Sequence, residues 1–359
     1  MFMKKYLTFI LGALLTCSLM FGVMSCGVFK DSDETSEKAA EGLSEESDED
    51  LIVVGFSQLG AESNWRSANT ESMRETFTKE NGYELIFEDG QQKQSNQITS
   101  IRRFIQQEVD YIVLAPVTET GWDTVLSEAR DAGIPVIIVD RMVDVEDDSL
   151  FTAWVGSNFE LEGKKAAQWL YEYCSLKEIA PEDIHIVDIQ GTIGASAQIG
   201  RTNGLEDAAA SYGWDLLAYA DGDFTELGGK EAMKGLLREY DNINVVYCEN
   251  DNSALGAIEA LENAGYTVGS DIANGEIMVI SFDGVNEEAL SLVEEGKISV
   301  EGECNPLHGP RVEAIIQALE NGETPEKYTY VEESIYSAFP DITKLEIDCA
   351  LYEVSILKK

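Results

Sequence analysis

Histidine is almost missing from this chain, with two residues, His185 and His308, among 359. His185 opens an apolar run, and neither histidine has a cysteine or aspartate at metal-ligand or catalytic-triad spacing, so zinc and imidazole chemistry lack their parts. Positive charge is scarce too. Lysine and arginine number 25 against 67 aspartates and glutamates, a formal charge of −42 that repels nucleic acid and anionic membrane surfaces alike. No G-x-S-x-G occurs, and Gly228-Gly229-Lys230-Glu231 lacks both the upstream glycine and the Ser/Thr of a phosphate loop. Gly191, Gly194 and Gly200 stand too far apart for a dinucleotide fingerprint. Carboxylates are plentiful, but in so acidic a chain a pair close in sequence is usually a solvated face. The residues imply no enzyme, no cofactor and no metal.

What is present begins with an address. MFMKK is a short basic region, YLTFILGALLTCSLMFGVM is uncharged and apolar, and Ser25-Cys26-Gly27 then sets small residues around a cysteine. Val23-Met24-Ser25-Cys26 resembles a bacterial lipobox, whose cysteine is acylated and becomes the first mature residue. The competing reading, a transmembrane anchor of about the minimum spanning length, lacks a basic stop-transfer cluster after the run. Cys17 is a weaker lipidation candidate because cleavage there would leave too short an apolar segment. Residues 1–25 are thus expected to be a lipoprotein signal. The acid-rich stretch 26–50, which cannot bury enough apolar surface to fold, is expected to be a solvated tether outside the cytoplasmic membrane.

From Leu51 onward strand-like and helix-like segments alternate. LIVVGF (51–56), YELIFE (83–88), YIVLAP (111–116) and IPVIIVD (134–140) are short β-branched runs separated by charged segments of helical period. In SNQITSIRRFIQQE the spacing places Ile98, Ile101 and Ile105 on one helical face, with Arg102, Arg103 and Gln106 outward. The second half repeats the scheme with IHIVDIQ (184–190), DLLAYA (215–220), INVVYCEND (243–251) and EIMVISFDG (276–284). Continuous apolar strands alternating with helices predict parallel sheets covered on both faces. The fold class is therefore α/β, with two similar doubly wound lobes.

Polar residues collect where these strands finish, which is where open α/β sheets bind ligands. Trp65 with Arg66, Asp140 with Arg141, Arg201, Phe224, Asn250 and Asp283 all fall in loops or first helical turns beyond predicted strands. Arg, Asp and Asn grip neighbouring hydroxyls in pairs, and rings cover C–H faces, so the set suits a neutral polyhydroxylated ligand better than an amino acid or peptide. Arg141, Asn250 and Asp283 are the strongest members, each ending a wholly apolar strand. Asp89-Gly90-Gln91-Gln92 either faces the ligand or ties a strand end to its helix.

The segments VGFSQLGAESNWR, FEDGQQKQSNQ, VDYIVLAPVTETGW, IPVIIVDR, IQGTIGAS, GDFT, END, SFDG and CNPLHGP run in order over residues 51 to 311. Through them the chain resembles the periplasmic sugar-binding proteins of ABC importers, of the ribose- and galactose-binding type, and most closely the galactofuranose-binding branch. The resemblance implies a two-lobed type I binding protein with a three-segment hinge near 155–158, 302–306 and 326–334. One lobe would comprise 51–155 plus about 305–328, the other 156–304 plus about 329–359. It further implies a monomer that closes on one monosaccharide and delivers it to the permease subunits of an ABC transporter, and through them to its ATPase. Arg66, Asp140, Arg141, Arg201, Asn250 and Asp283 would bind hydroxyls and Trp65 and Phe224 would cover the ring, with Asn305 reaching the sugar from a hinge crossing. The alternative is a sugar-sensing module docked on a membrane receptor or sensor kinase. Three departures from the family pattern stand out: Asn252 where relatives often carry a second acid, extra residues before Cys304, and a long strand-like tail over 337–359. Cys174, Cys248, Cys304 and Cys349 allow three disulfide pairings or remain free thiols.

Overall fold

The computed structural model describes residues 51–358. The signal, the lipobox cysteine Cys26 and the tether expected over residues 1–50 lie outside the described residues. The first sheet is built from β1 (Ile52–Gln58), β2 (Tyr83–Asp89), β3 (Tyr111–Leu114), β4 (Val136–Val139) and β5 (Ala153–Gly156). Its helices are α1 (Asn64–Thr76), α2 (Gln94–Gln106) and α3 (Asp123–Asp131). The second sheet follows with α4 (Phe159–Lys177), β6 (His185–Gln190), α5 (Ser196–Tyr212), β7 (Asp215–Asp221), α6 (Glu226–Glu239), β8 (Val245–Cys248) and α7 (Asp251–Asn263). It continues through β9 (Met278–Asp283), α8 (Glu287–Glu294) and β10 (Ile298–Glu303). The chain ends with α9 (Gly309–Glu320), β11 (Tyr328–Tyr330), β12 (Ile335–Ser337), β13 (Lys344–Ile347) and β14 (Ala350–Ile356).

The strand orders are β11-β5-β4-β3-β1-β2 and β13-β14-β12-β10-β9-β8-β6-β7. Within each, the first strand sits between the second and the third, which puts a topological switch point beside β1 and another beside β6. The four-residue runs of β3, β4, β5 and β8 are buried throughout, as strands covered on both faces must be, whereas the edge strands β2 and β7 are half-exposed. Each sheet is sandwiched between two apolar clusters. Phe56, Met73 and Val312 lie on one face of the first sheet and Phe104, Ile112 and Trp122 on the other.

The α2 face packs on the core with Ile98, Ile101 and Ile105 as the sequence predicts, and it includes polar residues the spacing does not show. Ile101 is central, but its buried companions are Gln97, Ser100 and Phe104, while Ile98 and Ile105 lie at the margin. Gln97 is buried because its amide closes backbone gaps, Nε2 donating to Ala115 O at 2.7 Å and Oε1 accepting from Val117 N at 3.0 Å. A polar side chain with every group satisfied costs little to bury, and hydrophobic spacing alone does not reveal it.

Three segments connect the lobes: 157–158 between β5 and α4, 304–308 between β10 and α9, and 331–334 between β11 and β12. Helix α9 packs on α1, and β11 pairs with β5, so the chain returns to the first lobe before β12 adds to the second. The tail forms β12, β13 and β14, which extend the second sheet at its edge. Helices α4 and α5 cross closely because Gly163 and Gly204 meet there; a Cβ on Gly204 would stand 2.8 Å from Gly163 Cα. That approach seats Arg201 of α5 against α4. Among the described residues Cys174, Cys248 and Cys304 are buried free thiols and Cys349 an exposed one.

Candidate ligand-binding cleft

The carboxyl ends of the two sheets face one another across a cavity of about 290 Å³. Its walls carry Glu62, Ser63, Trp65, Arg66, Asp140, Arg141, Phe159, Ala197, Arg201, Phe224, Asn250, Asp283 and Cys304. Eight of the nine residues expected from the sequence to bind ligand are therefore brought together, and none of the eight is more than 5% exposed. Local structure explains their placement. Ser63 caps α1 by accepting from Arg66 N at 3.2 Å, so Trp65 and Arg66 project from the first helical turn. Asp140, Phe224 and Asp283 have φ of 63°, 55° and 99°. Positive φ is costly for residues other than glycine, and here it occurs just past the ends of β4 and β7 and at the last residue of β9, turning these side chains out of the strand direction. Trp154 secures one such turn, its Nε1 donating to Asp140 O at 3.1 Å.

Each guanidinium is fixed by its own lobe. Arg66 donates through NH2 to Asp140 Oδ2 at 2.7 Å and through Nε to Glu62 Oε1 at 3.4 Å, and it lies 4.5 Å over the Trp65 ring. Arg141 donates through NH1 to Val117 O at 2.8 Å and sits 3.7 Å from Glu62 Oε1. Arg201 donates through Nε to Glu162 Oε2 at 2.8 Å, through NH2 to Asp283 Oδ1 at 3.3 Å, and through NH1 to Glu249 O. Three guanidinium and three carboxyl groups thus line the cavity, donors and acceptors of the kind that grip hydroxyl groups.

Burial and pairing compete in this network. Burial pushes the Asp140 carboxyl up, but Arg66, Arg141 and His308 together outweigh it and hold the group below its ordinary range. For Asp283 burial wins; despite Arg201, the carboxyl is pushed well up, helped by Asp251 and Glu162. Arg141 falls to about 10, through burial first and then the neighbouring charge of Arg66. Among the side chains that line the cavity, two buried atoms stand without a hydrogen-bond partner, Glu62 Oε2 and Arg66 NH1. They form an acceptor and a donor on residues that both line the cavity.

One sequence expectation needs adjusting, and two others gain detail. Asn305 does not line the cavity. Its amide is engaged in the hinge, with Oδ1 accepting from Leu307 N and Arg311 NH1 and Nδ2 donating to Glu303 Oε1. Asn250 lines the cavity but also caps α7, Oδ1 accepting from Ser253 N at 2.9 Å, while Nδ2 holds Phe224 O at 3.1 Å. Asp89-Gly90-Gln91-Gln92 takes the structural role, Gly90 N bonding Gln58 O and Gln92 N bonding Leu59 O to tie the ends of β1 and β2. Sequence reasoning missed Glu62, Ser63, Phe159, Ala197 and Cys304. Glu62 had a signal, since it precedes Trp65 and Arg66 in the same loop. Cys304 fell within the expected second hinge segment, but its role did not show, because its carbonyl and not its side chain accepts from Trp65 Nε1 at 2.7 Å.

Among the described residues one group brings metal-type donor atoms together, Glu162, Cys304 and Glu333, within 4.8 Å of one another. Glu162 is already paired with Arg201, and Glu333 already accepts from Ser157 Oγ and Asn305 N, so the cluster is spent on protein partners.

A family model described as the periplasmic binding protein domain matches residues 54–301. The chain belongs to the periplasmic binding protein family. It is 39% identical over 302 residues to the galactofuranose-binding protein of Escherichia coli, covering 83% of this chain and 91% of that one. A Mycobacterium smegmatis protein solved in complex with β-D-fucofuranose superposes with a TM-score of 0.75 at 36% identity, over 81% of this chain and 95% of that one. The binding component of an arabinose ABC transporter from Shewanella sp. ANA-3, solved with α- and β-L-arabinofuranose, gives 0.72 at 38% identity, over 79% and 91%. As a family member the chain is a two-lobed type I binding protein, and its relatives are solute-binding proteins and not enzymes.

Proposed function

We propose that this protein is an extracytoplasmic, lipid-anchored sugar-binding protein that captures one monosaccharide, in furanose form, and delivers it to the permease of an ABC importer. The observation that carries the reading is the buried polar cavity, lined by arginines, carboxyl groups and aromatic rings of both lobes. Its walls come from both lobes, so a ligand held there is enclosed between them. Trp65, Phe159 and Phe224 offer apolar faces for the C–H surface of a ring. Around them Glu62 Oε2 and Arg66 NH1 lack partners that hydroxyl groups would supply. The furanose preference comes from the relatives, whose names and structures carry galactofuranose, fucofuranose and arabinofuranose. Lipid anchoring rests on the lipobox at Cys26.

Closure follows from the contacts between lobes. Met142 N donates to Ser196 Oγ, Glu119 N to Gly194 O, and Trp65 Nε1 to Cys304 O at the hinge. A ligand held by Arg66 and Arg141 from one lobe and Arg201 and Asp283 from the other interacts fully only when the lobes meet, so its binding draws the population toward the closed state. A thermal-shift screen of the purified protein against L-arabinose, D-galactose, D-fucose, D-ribose and D-fructose tests the assignment. A binding sugar at a hundred times its dissociation constant adds about 2.7 kcal/mol of stability. No shift with any of these sugars sinks the proposal.

A further inference from the structure

Glu162 stands between Arg201 of the cleft and the hinge residues Cys304 and Glu333. Its Oε2 accepts from Arg201 at 2.8 Å, while Oε1 is buried without a hydrogen-bond donor. Glu333 lies on the third crossing segment, and its Oε1 accepts from Ser157 Oγ of the first at 2.6 Å and from Asn305 N of the second at 2.7 Å. One carboxyl group thereby ties all three crossings together. A carboxyl oxygen of Glu333 lies within 4.8 Å of one of Glu162, and two ionised carboxylates that close in a buried junction repel. A proton on Glu333 removes the repulsion and supplies the donor that Glu162 Oε1 lacks.

We propose that Glu333 is a positioning residue held protonated at the hinge, where it donates to Glu162 and so fixes Arg201 against the ligand when the lobes are closed. The charged and titratable groups around it are Glu162 and Lys165 of α4, Arg201 of α5, Glu303 and Cys304 at the exit of β10, and Arg311 of α9. Neither nearby cation of the hinge neutralises the carboxyl by direct bonding. Lys165 Nζ is spent on the Glu333 backbone oxygen at 2.7 Å, and Arg311 on Asn305 Oδ1 and Leu307 O. Burial first, and Glu162 second, push the Glu333 carboxyl up to about 9, against the opposing pull of Ser157 and Asn305.

The inference rests on the sugar reading only for its affinity readout, so two experiments separate the two. Difference infrared spectroscopy of full-length wild type against Glu333→Gln at pH 7, with no sugar present, reads the proton directly. A protonated-carboxyl C=O band lost in the variant is expected, and the absence of that band overturns the proposal. Calorimetry with L-arabinose and D-galactose from pH 7 to 9 reads the positioning. Because the closed state holds the proton, the wild-type Kd rises with pH, at most about tenfold per pH unit, the limit for one linked proton. Glu333→Gln keeps an amide donor toward Glu162 and shows a flat profile, whereas Glu333→Ala binds weakly throughout. A Gln variant with the wild-type pH slope, or a stoichiometric divalent metal in the purified wild-type protein, refutes the idea. If neither sugar binds, the sugar assignment is at fault, and the infrared measurement still decides the proton.

Discussion

Asn64 opens α1 in one lobe and Asn252 stands in the first turn of α7 in the other, and in the closed protein they form a reciprocal pair. Asn64 N donates to Asn252 Oδ1 at 3.2 Å, and Asn252 Nδ2 donates to Asn64 Oδ1 at 3.0 Å. Opening the cleft would break both bonds and return all four groups to water. An intramolecular hydrogen bond contributes a net 0.5 to 1.5 kcal/mol, and exposed ones fall at the low end, so the pair is worth about 1 kcal/mol to closure. Asn252→Ala therefore weakens sugar binding by about fivefold and raises the off-rate. It leaves the melting temperature of the sugar-free protein unchanged or slightly higher, since alanine favours the α7 helix and no buried group is orphaned. Asn252→Asp separates this account from a merely local one. The carboxylate loses the bond to Asn64 Oδ1 but still accepts from Asn64 N at the positive end of α1, so it stays within about twofold of wild type. Calorimetry with the sugar found by thermal shift, alongside stopped-flow dissociation, gives the numbers. Equal affinity for Asn252→Ala and wild type, or a melting temperature that falls in step with affinity, refutes the latch.

Arg141→Ala removes the partner of Val117 O and a neighbour of Glu62, so it costs about 1 to 3 kcal/mol of binding; unchanged affinity by calorimetry takes Arg141 out of the site. Gly191→Ala puts a Cβ 1.9 Å from Phe224 Cζ and must displace that ring from the cavity wall, so affinity falls at least tenfold while the circular dichroism spectrum is retained; wild-type affinity shows that the ring is not needed. His308 is buried beside Asn69 and its pKa is pushed down to about 4, by burial first and then by Arg311 and Arg66 against the pull of Asp140. The unfolded chain takes up this proton near pH 6.5 and the folded one only near 4, so the contribution to stability is complete above about 6.5. It is lost on acidification through that window at up to about 1.4 kcal/mol per pH unit. His308→Gln therefore shows a shallower acid slope in melting temperature than wild type, and parallel slopes reject the assignment.

How much of this was legible in the sequence depends on how local each signal is. Strand positions could be read because four-residue runs such as VIIV of β4 are buried on both faces and carry nothing but β-branched residues. The cleft could be read because Trp65, Asp140, Arg141 and Asp283 lie within a few residues of such runs. What escaped were groups whose role is set by a partner distant in sequence. Trp65 Nε1 finds Cys304 O across 239 positions, and Gln97 is buried only because Ala115 and Val117 present it with unpaired backbone. Asn305 misled for the complementary reason, since its place at a crossing was legible while the direction of its amide, toward Arg311 and Leu307, was not.

The partners that fix the arginines also bear on how the cleft works. Arg66 is held by Glu62 and Asp140, Arg141 by Val117, and Arg201 by Glu162, Glu249 and Asp283, so every one of these bonds lies within a single lobe. Each half of the site is consequently assembled before the other arrives, and little side-chain freedom remains to be lost when the ligand binds. Contacts across the gap are of a different kind. The Arg141 guanidinium lies 5.1 Å from the centroid of the Phe224 ring, a non-directional attraction that tolerates small errors of approach, whereas the directional bonds between lobes sit at the hinge and rim. A hinge that must open and close repeatedly benefits from that division. Strong, geometrically strict pairs stay intact through the motion, and what is made and broken on closing is a set of weak contacts whose sum the ligand is needed to complete.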